Sequence, residues 1–184
     1  CSCGEERREQ PVAVDGVIDL SSWDFEKDGS IELRGDWRFV WGDLIKPIPT
    51  ESFFIENKHT MEVPASWPTQ VHPAHPEEQL PGLGAATYVL EILMPTAGMQ
   101  GSYTLGSGRQ GSAVSWWIVK SSSGEVIKTA GQQRAVADGG ERVPTSLQTV
   151  INFSTESSES ITVWMHLTNQ HHARGGTWNS PSLH

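Results

Sequence analysis

The sequence predicts an all-β fold, an antiparallel β-sandwich of the jelly-roll type. Three observations predict it. Apolar residues recur at period two in about nine short stretches, clusters of Gly, Pro, Asp and Ser separate those stretches, and none keeps a helical period for three turns.

The fold is organised around residues 82–95, GLGAATYVLEILMP. Tyr88, Leu90, Ile92 and Met94 share one face of a strand, and Thr87, Val89, Glu91 and Leu93 the other. One face meets a core. The other is only partly polar, so a loop or neighbouring element is expected to half cover it. Gly82 and Gly84 allow a tight entry, and Pro95 removes the next ladder donor.

In chain order, residues 1–11 are polar and charged and read as a flexible lead, with a single domain over 12–184. Residues 12–20 alternate loosely and run into turn chemistry at 21–29. Over 31–41 the residues Ile31, Leu33, Gly35, Trp37, Phe39 and Trp41 share one parity, which predicts one half-buried strand with a bulge or close backbone approach at Gly35. Residues 42–60 read as an excursion without regular structure. Residues 61–67 read as a short strand that stops at Pro64 and delivers Trp67 into a loop, and the His- and Pro-rich stretch 69–81 as a long loop.

Beyond the central strand, further strands are expected at 102–107, 112–119 and 125–131, the last two joined by a hairpin-like KSSSG connection. Residues 132–144 read as loop. Leu147, Thr149, Ile151 and Phe153 alternate in the next strand, and Ile161, Val163, Met165 and Leu167 face inward in the last strong one, leaving Thr162, Trp164, His166 and Thr168 outward.

Composition narrows the function classes. The 184-residue chain carries a formal charge of -9, and nucleic-acid binding requires a basic surface that releases counterions, so no nucleic-acid partner is expected. No apolar run reaches the length of a membrane span. The two cysteines, Cys1 and Cys3, lie too close together to staple a fold. The start CSCGEERRE looks like that of a mature bacterial lipoprotein with Cys1 lipidated, or else simply of a chain that begins there; an exported protein is expected over a cytosolic one.

Catalytic signatures are sparse: there is no Gly-x-Ser-x-Gly elbow, His-Glu-x-x-His pair or phosphate loop, so no enzyme and no catalytic residue are expected. No cofactor is expected either. His72 and His75 make at most half a metal site, and His171 and His172 point apart on an extended chain, so no metal site is assigned. Some jelly rolls hold a structural calcium through carboxylates and backbone carbonyls, and Asp138 or Glu141 could serve, with no spacing that fixes either.

The run 169–178, NQHHARGGTW, concentrates an amide, two histidines, a guanidinium, two glycines and an indole just after a core strand. Indoles stack on sugar faces, while Asn, His and Arg hydrogen-bond hydroxyls or a carboxylate. The expected ligand-binding residues are therefore Asn169, His171, His172, Arg174 and Trp178. The alternative is structural: Arg174 pairs with a carboxylate, the two glycines make a tight return, and Trp178 sits in the core. Trp116 and Trp117 are adjacent in a strand, so one is core and the other faces out; Trp117 and the outward Trp164 either line a platform or lie beneath a loop.

Three blocks, LRGDWRF at 33–39, VPASW at 63–67 and GAATY at 84–88, resemble the galactose-binding-like jelly rolls, including the amino-terminal sandwich of the β-galactosidase and β-glucuronidase family. GVIDLSSW at 16–23 and TNQHHARGGTW at 168–178 look like the extracytoplasmic sensor domain of bacterial seven-transmembrane receptors with diverse intracellular signalling modules. That likeness covers about 14–181; the SSSG turn departs from the Asn-Gly often found there.

It implies a periplasmic, membrane-tethered ligand sensor whose partners are a small-molecule or carbohydrate ligand and the membrane portion of its own receptor. The alternative is a non-catalytic carbohydrate-binding accessory domain of a secreted glycoside hydrolase or surface lipoprotein. A purely structural interaction domain is a third.

Overall fold

The structure is a computed structural model, and it describes residues 8–96, 100–131, 148–156 and 160–184. Cys1, Cys3, Asp138, Glu141 and Leu147 lie outside the described residues.

The expected all-β sandwich is the fold. One sheet has strand order β10-β9-β12-β7-β3-β4. Its members are β3 (Gly35–Trp41), β4 (Thr60–Val63), β7 (Gly84–Leu93), β9 (Ala113–Lys120), β10 (Val126–Gly131) and β12 (Ile161–Asn169). All these neighbours run antiparallel. Strand β1 (Val17–Asp19) adds to β7 in parallel, beside Glu91–Leu93. The facing sheet has the order β11-β8-β13-β2, from β2 (Ile31–Glu32), β8 (Gln100–Ser107), β11 (Thr149–Glu156) and β13 (Ser182–Leu183).

Alternation places the core between the sheets. Tyr88, Leu90 and Ile92 of β7 meet Val163, Met165 and Leu167 of β12, with Trp37, Phe39, Trp116 and Ile118 beside them and Leu105, Ile151, Phe153 and Leu183 opposite. At roughly 25 cal/mol per Å² of apolar surface, this burial is the main stabilising term. Trp67, from the 3₁₀ turn Trp67–Thr69, reaches into that core and is fully buried.

Four expectations need correction. Residues 31–41 form two strands in different sheets: the chain crosses over at Leu33–Arg34, and Gly35 has φ +114° with space for a Cβ only 2.3 Å from the Ala13 carbonyl oxygen. The 69–81 stretch contains a hairpin, β5 (Val71–His72) with β6 (His75–Gln79).

The 42–60 excursion contains helix α1 (Thr50–Glu56). It packs Phe53 on the outer face of the first sheet, against Val89, Val119 and Trp164, with Ile45 and Ile48 alongside. Trp164 is therefore no open platform: its parity is outward as expected, but its indole is fully buried, 4.6 Å from the Phe53 ring. The same cover explains why Thr87, Val89 and Thr162 are buried on the far face.

Arg8 donates to the Ser22 carbonyl at 2.8 Å and pairs with Asp28 at 3.2 Å.

Candidate functional site

The registers put the end of β3, the start of β7, the end of β12 and the start of β9 side by side, because Trp41 faces Ala86, Asn169 faces Gly84 and Thr168 faces Ala113. The loops after β3 and β12 and before β7 and β9 thus gather at one end of the sandwich. The loop 170–181, between β12 and β13, carries most of the expected site.

Asn169 anchors that loop from below. Its side chain is 1% exposed, donates to the carbonyls of Gly82 at 2.6 Å and His172 at 2.7 Å, and accepts from the His172 amide at 3.1 Å. Every polar position of the amide is engaged, so its role is to shape the loop. Gly175 and Gly176 then allow contact with the chain around Trp67: the Trp67 amide donates to the Gly175 carbonyl at 2.8 Å, and a Cβ on Gly175 would fall 2.3 Å from the indole. The Thr177 amide donates to the Ala65 carbonyl at 2.9 Å, which fixes the approach to Trp178.

Trp178 is 48% exposed, the only large exposed aromatic among the described residues. Its ring lies on Gly111, where a Cβ would come 2.2 Å from it, so glycine is needed there for contact. The indole N–H donates to the Arg174 carbonyl at 3.1 Å, and the backbone amide to Gln110 Oε1 at 2.8 Å. Gln110 also donates to the Asn179 carbonyl at 2.9 Å, and Asn179 donates to the Arg109 carbonyl at 2.7 Å. The result is an indole fixed on one face and at its N–H, with the other face open. His172 stands at its edge, ring centroids 5.9 Å apart at 63°. The side chains of His171, His172 and Arg174 are exposed on the same loop.

The seven expected residues therefore divide. Asn169, His171, His172, Arg174 and Trp178 belong to one loop. Trp117 and Trp164 are register partners on the outer face of the sheet; Trp117 is half-buried against His166, with ring centroids 4.3 Å apart. They form no part of the loop surface. Of the structural alternative, the glycines make the tight return, while Trp178 lies outside the core and Arg174 has no carboxylate partner among the described residues.

Sequence reasoning missed Arg109, Gln110, Gly111 and Asn179. The glycine-flanked run at 108–111, GRQG, was the available signal. Beside it Ser112 is buried, its hydroxyl has no partner among the described residues, and it lines a cavity of about 20 Å³ with Ser107, Gln110 and Thr149.

Two other places hold polar clusters. His72 and His75 sit across the β5–β6 hairpin with ring centroids 4.8 Å apart, and His72 Nδ1 accepts the Ala74 amide at 3.1 Å. Among the described residues no group of three or more His, Cys, Asp or Glu could hold a metal. At the opposite end an open groove of about 600 Å³ runs beside α1, lined by Glu51, Phe54, Ile55, Lys58, Glu91 and neighbouring hydroxyls.

No protein-family model matches the chain, and no curated protein matches it in sequence. Solved structures do share its fold. A glycosyl hydrolase family 2 member from Bacteroides cellulosilyticus aligns with 84% of the chain at TM-score 0.55 and 8% identity, over 20% of its own length. A Faecalibacterium prausnitzii β-glucuronidase aligns with 84% at TM-score 0.52 and 13% identity, over 31% of its length. A Ruminococcus gnavus β-glucuronidase aligns with 84% at 0.52 and 12%, over 28% of its length. The chain thus spans a fifth to under a third of each of these proteins and is similar in fold to that part of it, a β-sandwich.

Proposed function

We propose that this chain is a non-catalytic, carbohydrate-binding accessory sandwich and that its sugar site is the open face of Trp178. The observation that carries the reading is the fixing of that indole: Gly111 behind it, the Arg174 carbonyl on its N–H, and polar side chains at its rim. A half-exposed aromatic whose orientation is set by the backbone loses little entropy on stacking against a pyranose ring. His172 at the ring edge and the exposed Arg174 of the same loop supply the hydroxyl partners.

The hydrolase neighbours support the accessory role over the receptor sensor, because the sandwich fold is common to both readings and these relatives in fold are hydrolases. Sequence context separates them: a polypeptide that also encodes a barrel-type catalytic domain supports the accessory reading, and one with seven apolar spans the sensor.

The direct test is a melting-temperature screen against neutral and acidic oligosaccharides, since a ligand bound only by the native form raises the transition. The expected result is a shift with at least one sugar that Trp178→Ala abolishes while its own unliganded melting temperature stays within a few degrees of wild type. No shift with any sugar, or a variant that melts out, overturns the reading.

A further inference from the structure

The acidic residues are distributed unevenly. The chain has 22 Asp and Glu, yet between Gln79 and Gly124 the only one is Glu91, and none follows Glu159. These two stretches supply β7, β9 and β12 and the loops around Trp178. Glu91 faces Thr162 and accepts the Ser160 hydroxyl at 3.1 Å, so it lies at the opposite end from Gly84 and Asn169, about 23 Å away along the strand.

Among the described residues, the charged side chains on the two loops that hold the indole are Arg109 and Arg174. Both side chains are exposed, and neither has a carboxylate partner among the described residues. Both are tied to the indole's support: Arg109 through its carbonyl to Asn179, Arg174 through its carbonyl to the Trp178 N–H. Among the described residues, acids stand beyond β3 at Asp43, in β6 at Glu77 and Glu78, and in β2 at Glu32, two strands across from the end of β8. Asp43 and the β5–β6 hairpin stand on the Trp41 side, three strands across the sheet from β9.

We infer that the ligand is an acidic saccharide, a uronic-acid-containing glycan whose ring stacks on Trp178 and whose carboxylate is held by Arg174 with Arg109. This rests on the sugar-binding reading above and gives it a chemical class. Guanidinium meets carboxylate through two parallel N–H donors, a stronger and more directional contact than either makes with a neutral hydroxyl. In a protein of charge -9 two exposed guanidiniums without a carboxylate partner among the described residues favour an anionic over a neutral ligand at this place.

The test is calorimetric titration of tri-galacturonate and of the same trisaccharide with its carboxyls reduced to primary alcohols, at low and moderate salt. The proteins are the wild type, Trp178→Ala, Arg174→Gln and Arg109→Gln. Expected is a preference of about tenfold or more for the acid trimer in the wild type. Salt should weaken the preference, Arg174→Gln should remove most of it without changing the melting temperature, and Trp178→Ala should lose both ligands. Equal binding of the two trimers, or a preference that survives Arg174→Gln, overturns the acidic assignment and leaves the sugar site standing. Binding of neither trimer likewise overturns the acidic assignment, and undiminished binding by Trp178→Ala overturns both.

Discussion

The indole N–H of Trp67 donates to the hydroxyl of Tyr88 at 2.7 Å, with both side chains fully buried. One comes from the turn after β4 and the other from the centre of β7, so the bond joins a connecting loop to the middle of the sandwich. Tyr88→Phe should leave that N–H without a partner and cost about 1–3 kcal/mol.

The bond has a pH signature. Burial pushes the Tyr88 phenol above its ordinary range, against the opposing pull of the Trp67 N–H. A phenol that ionises more easily unfolded than folded contributes stability that is complete below the unfolded value, about 10, and declines as pH rises above it. Tyr103 is shifted the same way by burial and contributes a smaller decline. In denaturant titrations the gap between wild type and Tyr88→Phe should therefore narrow from pH 10 upward. A constant gap would show that Tyr88 ionises equally in both states.

Asn169→Ala should release the loop that carries Trp178. Three hydrogen bonds hang on this one amide, and truncation leaves the Gly82 and His172 carbonyls and the His172 amide to find other partners, a loss of about 1–3 kcal/mol. Hydrogen exchange at His172 should accelerate more than exchange in β12, and sugar affinity should fall. Asn169→Asp should do no better, because a carboxylate can accept from His172 but cannot donate to the two carbonyls. Rescue by Asp would mean that side-chain volume, not the donor pair, holds the loop.

The strands were legible where parity ran unbroken. Residues 84–93 and 161–169 alternate cleanly, and they are the two central strands of the larger sheet. Parity failed where tertiary contacts intervene. Ile31 and Trp37 share a face in sequence but sit in different sheets, because the chain crosses over where Gly35 meets Ala13. Strand β6 is exposed along its whole length and carries a proline, so it offered no pattern. Helix α1 has seven residues, fewer than two full turns, below what a periodicity reading can detect. The site was half legible: composition marked 169–178, but Gln110, which holds the Trp178 amide, lies 68 residues away in sequence.

Trp164 shows what parity leaves open, and α1 supplies the test. Its outward position was correct; what covers it is set by Phe53, whose ring stands 4.6 Å away at 62°. Thr50 at the start of the helix adds a second tie, its hydroxyl bonded to Thr162, which also meets Ser121 at 2.8 Å. Phe53→Ala removes the only aromatic ring that α1 buries completely, and a Phe-to-Ala truncation in a core costs about 3–5 kcal/mol. If α1 is an integral layer, this variant should lose that much stability in denaturant and gain a tryptophan accessible to acrylamide, one that disappears when Trp164→Phe is added. An unchanged midpoint would mean that the helix rests on the sheet without stabilising it.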